Sequence, residues 1–213
     1  RTDEYVGNPF EGLRNWLSEY RTSSLPEGLP SLGQIYGIWG FELIKWIEPT
    51  VQIHPRRADD PPDGIWMLMD SILIIDQVKR SITAAVYGDL TNGQSAHSEC
   101  EKAVERINSL EKKMAAPLKS MKSFRWKGES NSAPATKSNF DQTAFEAAVV
   151  NTKEYIASGE VFQLVLSQRL EAHVQQDPLE LYRSLRMVNP SPYMAFFDFG
   201  DWQLIGSSPE VMV

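Results

Sequence analysis

The chain has 213 residues, 42% hydrophobic and 10% aromatic, which is ample for a packed core and excludes wholesale disorder. Lys and Arg number 21 against 28 Asp and Glu, and the resulting net charge of −7 argues against a general nucleic-acid binder while leaving room for a local Arg cluster that takes an anion. A single cysteine, Cys100, excludes an internal disulfide framework and a multi-cysteine zinc site, and it fits a reducing, cytoplasmic setting.

In chain order, the first predicted element is a helix opening at Asn8-Pro9. Asn8 is placed to cap it, Pro9 suits the first turn, and Phe10, Leu13, Trp16, Leu17 and Tyr20 follow at helical spacing. Residues 22–32 read as loop, after which Gly33, Gly37 and Gly40 punctuate a short apolar segment. Residues 66–75 and 81–87 read as two β segments joined through 76–80 as an antiparallel hairpin. Ser98-x-x-Glu101 suggests the start of a helix with Val104, Ile107, Leu110 and Met114 on its apolar face, and Pro117 ends it.

Between 112 and 137 the bases Lys112, Lys113, Lys119, Lys122, Arg125, Lys127 and Lys137 face Glu129 alone, with Phe124 and Trp126 among them. The charge has no helical or strand period and Ser, Asn, Ala, Pro and Thr fill 130–138, so a solvated linker is favoured over a nucleic-acid patch. Ser138-x-x-Asp141 then predicts a helix start, with Gly159 as its stop. Residues 161–169 read as a strand. Asp177-Pro178-x-Glu180 predicts another helix start, carrying Leu181, Leu185 and Val188, and Asn189-Pro190-Ser191-Pro192 stops it. Residues 193–199 and 202–205 read as a hairpin around Gly200-Asp201. The mixture of helices and hairpins predicts an α+β fold rather than a doubly wound parallel sheet.

Length divides awkwardly, at about 150 residues per domain. The chain opens on Arg1 rather than Met and stops at Val213 inside a strand-like run, so the sequence reads as part of something larger. No secretory signal opens it, and its longest apolar stretch, 65–75, is broken by Asp70 and Ser71 and is too short to span a bilayer.

Nucleotide-binding glycine motifs, a P-loop, H-E-x-x-H and G-x-S-x-G are all absent from the sequence, and His54, His97 and His173 lack metal-ligand spacing. Two strings carry chemistry. With a period of two, Gln163, Val165, Ser167 and Arg169 share one strand face, either lining a pocket or forming the wet side of an edge strand. Gly206-Ser207-Ser208-Pro209-Glu210 reads as a strand end and sharp turn that sets a carboxylate just past a rigid bend. That carboxylate is either a candidate general acid or part of an ordinary surface turn.

Taken together, GEVFQLVLSQR (159–169), DPLELYRSLRMVNPSPYM (177–194) and LIGSSPE (204–210) resemble the chorismate-utilising enzymes, and most closely the large subunits, component I, of anthranilate synthase. GIWGFELIKWIEP (37–49) and DDPPDGIWMLMDSILIIDQVKR (59–80) are similar to the N-terminal half of that family, so the resemblance runs from about Asn8 to Val213. It implies a partial chorismate-binding fold, mainly antiparallel sheets with helices packed outside. Residues 1–116 would belong to the N-terminal region, 117–137 to a linker and 138–213 to the start of the catalytic region.

The implied chemistry is amination of chorismate, loss of the ring hydroxyl and elimination of pyruvate to give anthranilate, on the route to tryptophan. Ammonia would come from a glutamine amidotransferase subunit. The resemblance assigns Glu210 as the acid that protonates the leaving hydroxyl. Gln163 takes the position where water-using relatives carry a Lys base, which points to ammonia as the nucleophile. Gly206, Ser207 and Ser208 fall to substrate binding. Asn189-Pro190-Ser191-Pro192-Tyr193-Met194 resembles one wall of a tryptophan feedback pocket, with Asn189, Pro190, Pro192, Tyr193 and Met194 as the binding residues. Magnesium is implied, with ligands expected after Val213. Aminodeoxychorismate synthase component I is the alternative within the family, and a non-catalytic fragment is the alternative outside enzymology. Neither a nucleic acid nor a membrane is expected as a partner.

Overall fold

Local capping chemistry builds most of the helices. Asn8 Oδ1 accepts the Phe10 amide at 3.0 Å and Pro9 opens helix α1, Pro9–Glu19. The computed structural model describes residues 3–20, 35–53, 55–57, 60–91, 93–117 and 135–208. They fall in two compact units, within Arg1–Ser120 and Met121–Val213. Among the described residues every sheet is a two-stranded antiparallel pair.

In the first unit, β1 (Ile35–Trp39) pairs with β2 (Gly64–Leu68), and the single-turn helix α2 (Ile44–Ile47) lies between them in sequence. The register sets Gly37 opposite Trp66 and Trp39 opposite Gly64. Each indole therefore lies over a residue with no side chain, and the two indoles meet edge to face at 5.1 Å between centroids. Phe10 of α1 adds a ring 5.7 Å from Trp39. A Cβ on Gly37 would fall 2.2 Å from the Ile65 carbonyl oxygen and 2.6 Å from the Trp66 ring.

The predicted strand over 66–75 is in fact two strands. The apolar run breaks at Asp70, whose carbonyl accepts the Tyr87 amide at 2.8 Å and whose carboxylate meets Arg106 at 3.1 Å. Beyond it, β3 (Ser71–Asp76) forms the expected hairpin with β4 (Ser81–Val86). The connecting turn is held by Asp76 Oδ1, which accepts the Val78 and Lys79 amides. Arg80 closes it at φ 53°, in the left-handed region.

Helix α3 spans Ala96–Ala115 and begins earlier than the Ser98 signal suggests, because Ser95 Oγ accepts the Ser98 amide at 3.1 Å. The side it buries is also different. Glu99, Ala103, Arg106 and Leu110 are the sheltered positions, while Val104, Ile107 and Met114 are exposed. The surface beside α3 offers the Asp70 carboxylate to Arg106 and the bare backbone of Gly88 to Glu99, so charged side chains fit where a bulky apolar stripe does not. Glu99 is 7% exposed, packs against Gly88, and is paired with Lys102 at 2.6 Å and Arg106 at 4.0 Å.

In the second unit, β5 (Thr136–Ser138) pairs with β6 (Leu170–Ala172) around helix α4, Gln142–Ala157. The N-cap of α4 is Asp141, which accepts the Ala144 amide at 2.7 Å; Ser138 lies in β5 instead. At its other end Gly159 takes φ 79°. The Gly159 amide returns to Ile156 O and that of Glu160 to Tyr155 O, the paired bonds of a Schellman stop. Residues 161–169 are not a strand. Phe162 and Val165 are exposed there and the segment is in no described sheet, so the alternating pattern has no ladder to enter. Helix α5, Pro178–Val188, is followed by the hairpin of β7 (Tyr193–Asp198) and β8 (Gln203–Ser208), which turns at Gly200 with φ 89°. The result is the mixed α+β architecture with antiparallel pairing that the sequence predicts.

Leu43, at 9% exposure, is the only buried apolar side chain among the described residues. Two consequences are testable. Gly37→Ala is expected to destabilise the chain by about 1–3 kcal/mol in urea unfolding, because the added methyl overpacks against backbone. The hydrogen bond from Lys102 holds the Glu99 carboxyl below its ordinary range. Because that pKa is lower folded than unfolded, its contribution to stability is complete at neutral pH. It fades as the pH falls through the ordinary glutamate range near about 4.3 and is lost once the folded carboxyl protonates. Glu99→Gln is therefore expected to be less stable than wild type at pH 7, with the difference shrinking as the pH is lowered below the ordinary glutamate range, as read by thermal unfolding.

Candidate functional site

Of the residues that the sequence marks, Asn189–Met194 and Gly206–Ser208 meet at the end of the second unit. Helix α5 is fixed by Asp177, whose Oδ1 accepts the Leu179 amide at 2.8 Å, and by Pro178 in its first turn. Along it, Glu180 receives Arg183 Nη1 at 2.8 Å. Tyr182 packs against Phe196 of β7 at 5.7 Å between centroids, and the Arg186 guanidinium sits 5.9 Å over the Tyr182 ring. At the end of α5 the Asn189 amide returns to Leu185 O at 2.8 Å, and Pro190 and Pro192 prevent the ladder from continuing.

Gly206, Ser207 and Ser208 are the end of β8, as expected of a strand end, and the turn expected at Pro209 lies outside the described residues. The register places them opposite Ala195, Met194 and Tyr193. The expected substrate strand and the expected tryptophan wall are thus cross-strand neighbours. Ser207 Oγ donates to Asn189 O at 2.8 Å. Ser191 Oγ donates to Ser208 O and accepts the Tyr193 amide at 3.2 Å. Asn189, Pro190, Pro192 and Tyr193 are exposed and Met194 is half-buried.

Gln163 is not brought to this cluster. It is exposed on 161–169 and its side chain makes no hydrogen bond to the α5–β7–β8 residues. Glu210 lies outside the described residues, two positions after Ser208. Ser191, a linchpin of the arrangement, was not among the predicted binding residues. Its signal is its setting between two prolines: neither proline has an N–H, which leaves the hydroxyl as the polar group best able to tie the turn to a neighbour.

At the hairpin tip, the Gly200 amide and the Gln203 side chain both donate to Asp198 and hold its carboxyl below the usual range. Among the described residues no three His, Cys, Asp or Glu side chains gather as a metal site. No helix among them is long and apolar enough to cross a membrane.

Comparison with known proteins bears directly on this arrangement. The family model for chorismate binding enzymes matches residues 4–213. The chain belongs to that family. It is similar to anthranilate synthase component 1 of Synechocystis sp., with 42% identity over all of this chain and 43% of that protein. It is also similar to the protein of that name in Cereibacter sphaeroides, with 34% identity over 97% of this chain and 41% of the relative. The crystal structure of anthranilate synthase component I from Streptococcus pneumoniae superposes with a TM-score of 0.71 at 30% identity, covering 93% of this chain and 43% of that one. This member of the chorismate-binding family therefore spans less than half the length of these relatives.

Removing the Ser207 hydroxyl leaves the Asn189 carbonyl without its cross-strand donor. Ser207→Ala is expected to cost about 0.5–1.5 kcal/mol in denaturant unfolding and to speed amide exchange at Tyr193 and Met194.

Proposed function

We propose that this chain is part of the large subunit of an anthranilate synthase, which converts chorismate and ammonia to anthranilate and pyruvate. The observation that supports this reading most is the similarity to anthranilate synthase component 1 along the whole chain. Gln163 adds a chemical argument. Ammonia carries its own lone pair and attacks without a general base, whereas water needs one, and an amide side chain is no base. The ring hydroxyl is a poor leaving group until it is protonated. Glu210 is the acid in this reading, delivering a proton to the departing oxygen so that it leaves as water. Loss of the enolpyruvyl group as pyruvate then restores aromaticity.

Gly206 and Ser207–Ser208 border the substrate in this reading, and Asn189, Pro190, Pro192, Tyr193 and Met194 form a wall that binds tryptophan as a feedback inhibitor. A glutamine amidotransferase partner supplies the ammonia. Magnesium, in this reading, would neutralise a carboxylate of the substrate.

The test uses the full-length protein that contains this sequence, supplied with chorismate, ammonium and magnesium. Anthranilate fluorescence and stoichiometric pyruvate are expected, and Glu210→Gln should lower kcat by about 10²–10⁴-fold. The 213-residue chain alone should form neither product. An aminated product without pyruvate would instead identify an aminodeoxychorismate synthase, and no amination at all would refute the proposal.

A further inference from the structure

The turn 189–192 and the end of β8 are fastened to each other by two hydroxyls. Ser207 Oγ reaches back to Asn189 O, and Ser191 Oγ reaches forward to Ser208 O while also receiving the Tyr193 amide. Among the described residues Tyr193–Ser208 is the outermost pair of the β7–β8 ladder, and these side-chain bonds tie the turn to the end of β8. Pro190 and Pro192 fix φ at their positions, so the turn has little freedom to absorb a displacement. A push on its exposed wall must therefore pass into Ser207 and Ser208, two residues before Glu210 in sequence.

We infer that Ser191 is a positioning residue that couples occupancy of the Asn189–Met194 wall to the substrate strand. This inference rests on the feedback reading given above and specifies its physical link. It acts by moving the end of β8 and not by direct contact of Ser191 with either ligand.

Coupling is reciprocal: whatever factor tryptophan takes from chorismate affinity, chorismate takes from tryptophan affinity. The experiment measures chorismate binding to the full-length protein by calorimetry, without ammonia or glutamine, in the absence and presence of saturating tryptophan. Wild type is expected to lose at least fivefold in chorismate affinity when tryptophan is bound. In Ser191→Ala that factor should fall below twofold, while tryptophan binding in the absence of chorismate stays within threefold. Ser191→Thr, which keeps the hydroxyl, should restore the wild-type factor. Ser191→Cys keeps the side-chain volume with only a weak donor and should behave as Ser191→Ala, and it decides the matter if the alanine variant does not fold. A wild-type factor of one would overturn the feedback reading. A wild-type factor retained in Ser191→Ala or Ser191→Cys would overturn the coupling role alone, as would its loss in Ser191→Thr or a decrease confined to tryptophan's own affinity.

Discussion

A two-stranded antiparallel sheet has no interior strand, and on its own such a pair is marginal in water. That constraint governs the described structure, because all four of its sheets are of this kind. Each is held by something beyond its ladder. β1–β2 is held by two indoles laid over two glycines, with Phe10 added from α1. β3–β4 rests on α3 and its Asp70–Arg106 bridge. The short β5–β6 pair is continued by a reciprocal contact, with the Asn139 amide on Arg169 O and Asn139 Oδ1 accepting the Arg169 amide. β7–β8 rests on α5 through Tyr182 and Phe196 and on two serine hydroxyls.

The nature of these supports explains what could be read in the sequence. Helix caps are local: Asn8, Asp177 and Gly159 act within a few residues of themselves, and their signals were legible before any tertiary contact was known. Strands are not local. Residues 161–169 alternate as a strand should, yet alternation specifies a face and not a neighbour; only Gln168 and Arg169 meet one, at Ser138 and Asn139, and the segment is in no described sheet. The buried side of α3 was misread for a related reason. Helical spacing picks out Val104, Ile107, Leu110 and Met114 as an apolar stripe, of which only Leu110 is sheltered, beside Glu99, Ala103 and Arg106.

The candidate site divides along the same line. The candidate residues were legible through the resemblance to the chorismate-utilising enzymes, since the pattern alone left Gln163 on a wet strand face and Glu210 in an ordinary turn as alternatives. Their adjacency was legible only in part. Asn189–Met194 and Gly206–Ser208 are separated by a hairpin, and a hairpin brings its ends together by construction, so β7 and β8 deliver these two sets to each other. Gln163 is separated from them by α5 and two further segments, and nothing local joins it to the hairpin.

The turn 189–192 shows how few residues such a junction requires. Two prolines restrict the unfolded chain as well as the folded one, so fixing this turn costs less conformational entropy than fixing an ordinary loop of the same length. The same prolines remove two backbone donors, leaving carbonyls and hydroxyls to make the outward connections. Serine suits the position between them. Its hydroxyl donates and accepts at once, which lets Ser191 hold Ser208 O and the Tyr193 amide together. Alanine offers neither function, and a larger polar side chain would have to bend back to serve both partners from one atom. Rigidity from proline and bidirectional bonding from serine are separate properties. A turn with only the first would be stiff but detached from β8, and a turn with only the second would be attached but yielding. With both, the stretch between α5 and β7 is stiff and is bonded to the end of β8 through Ser191 and Ser207.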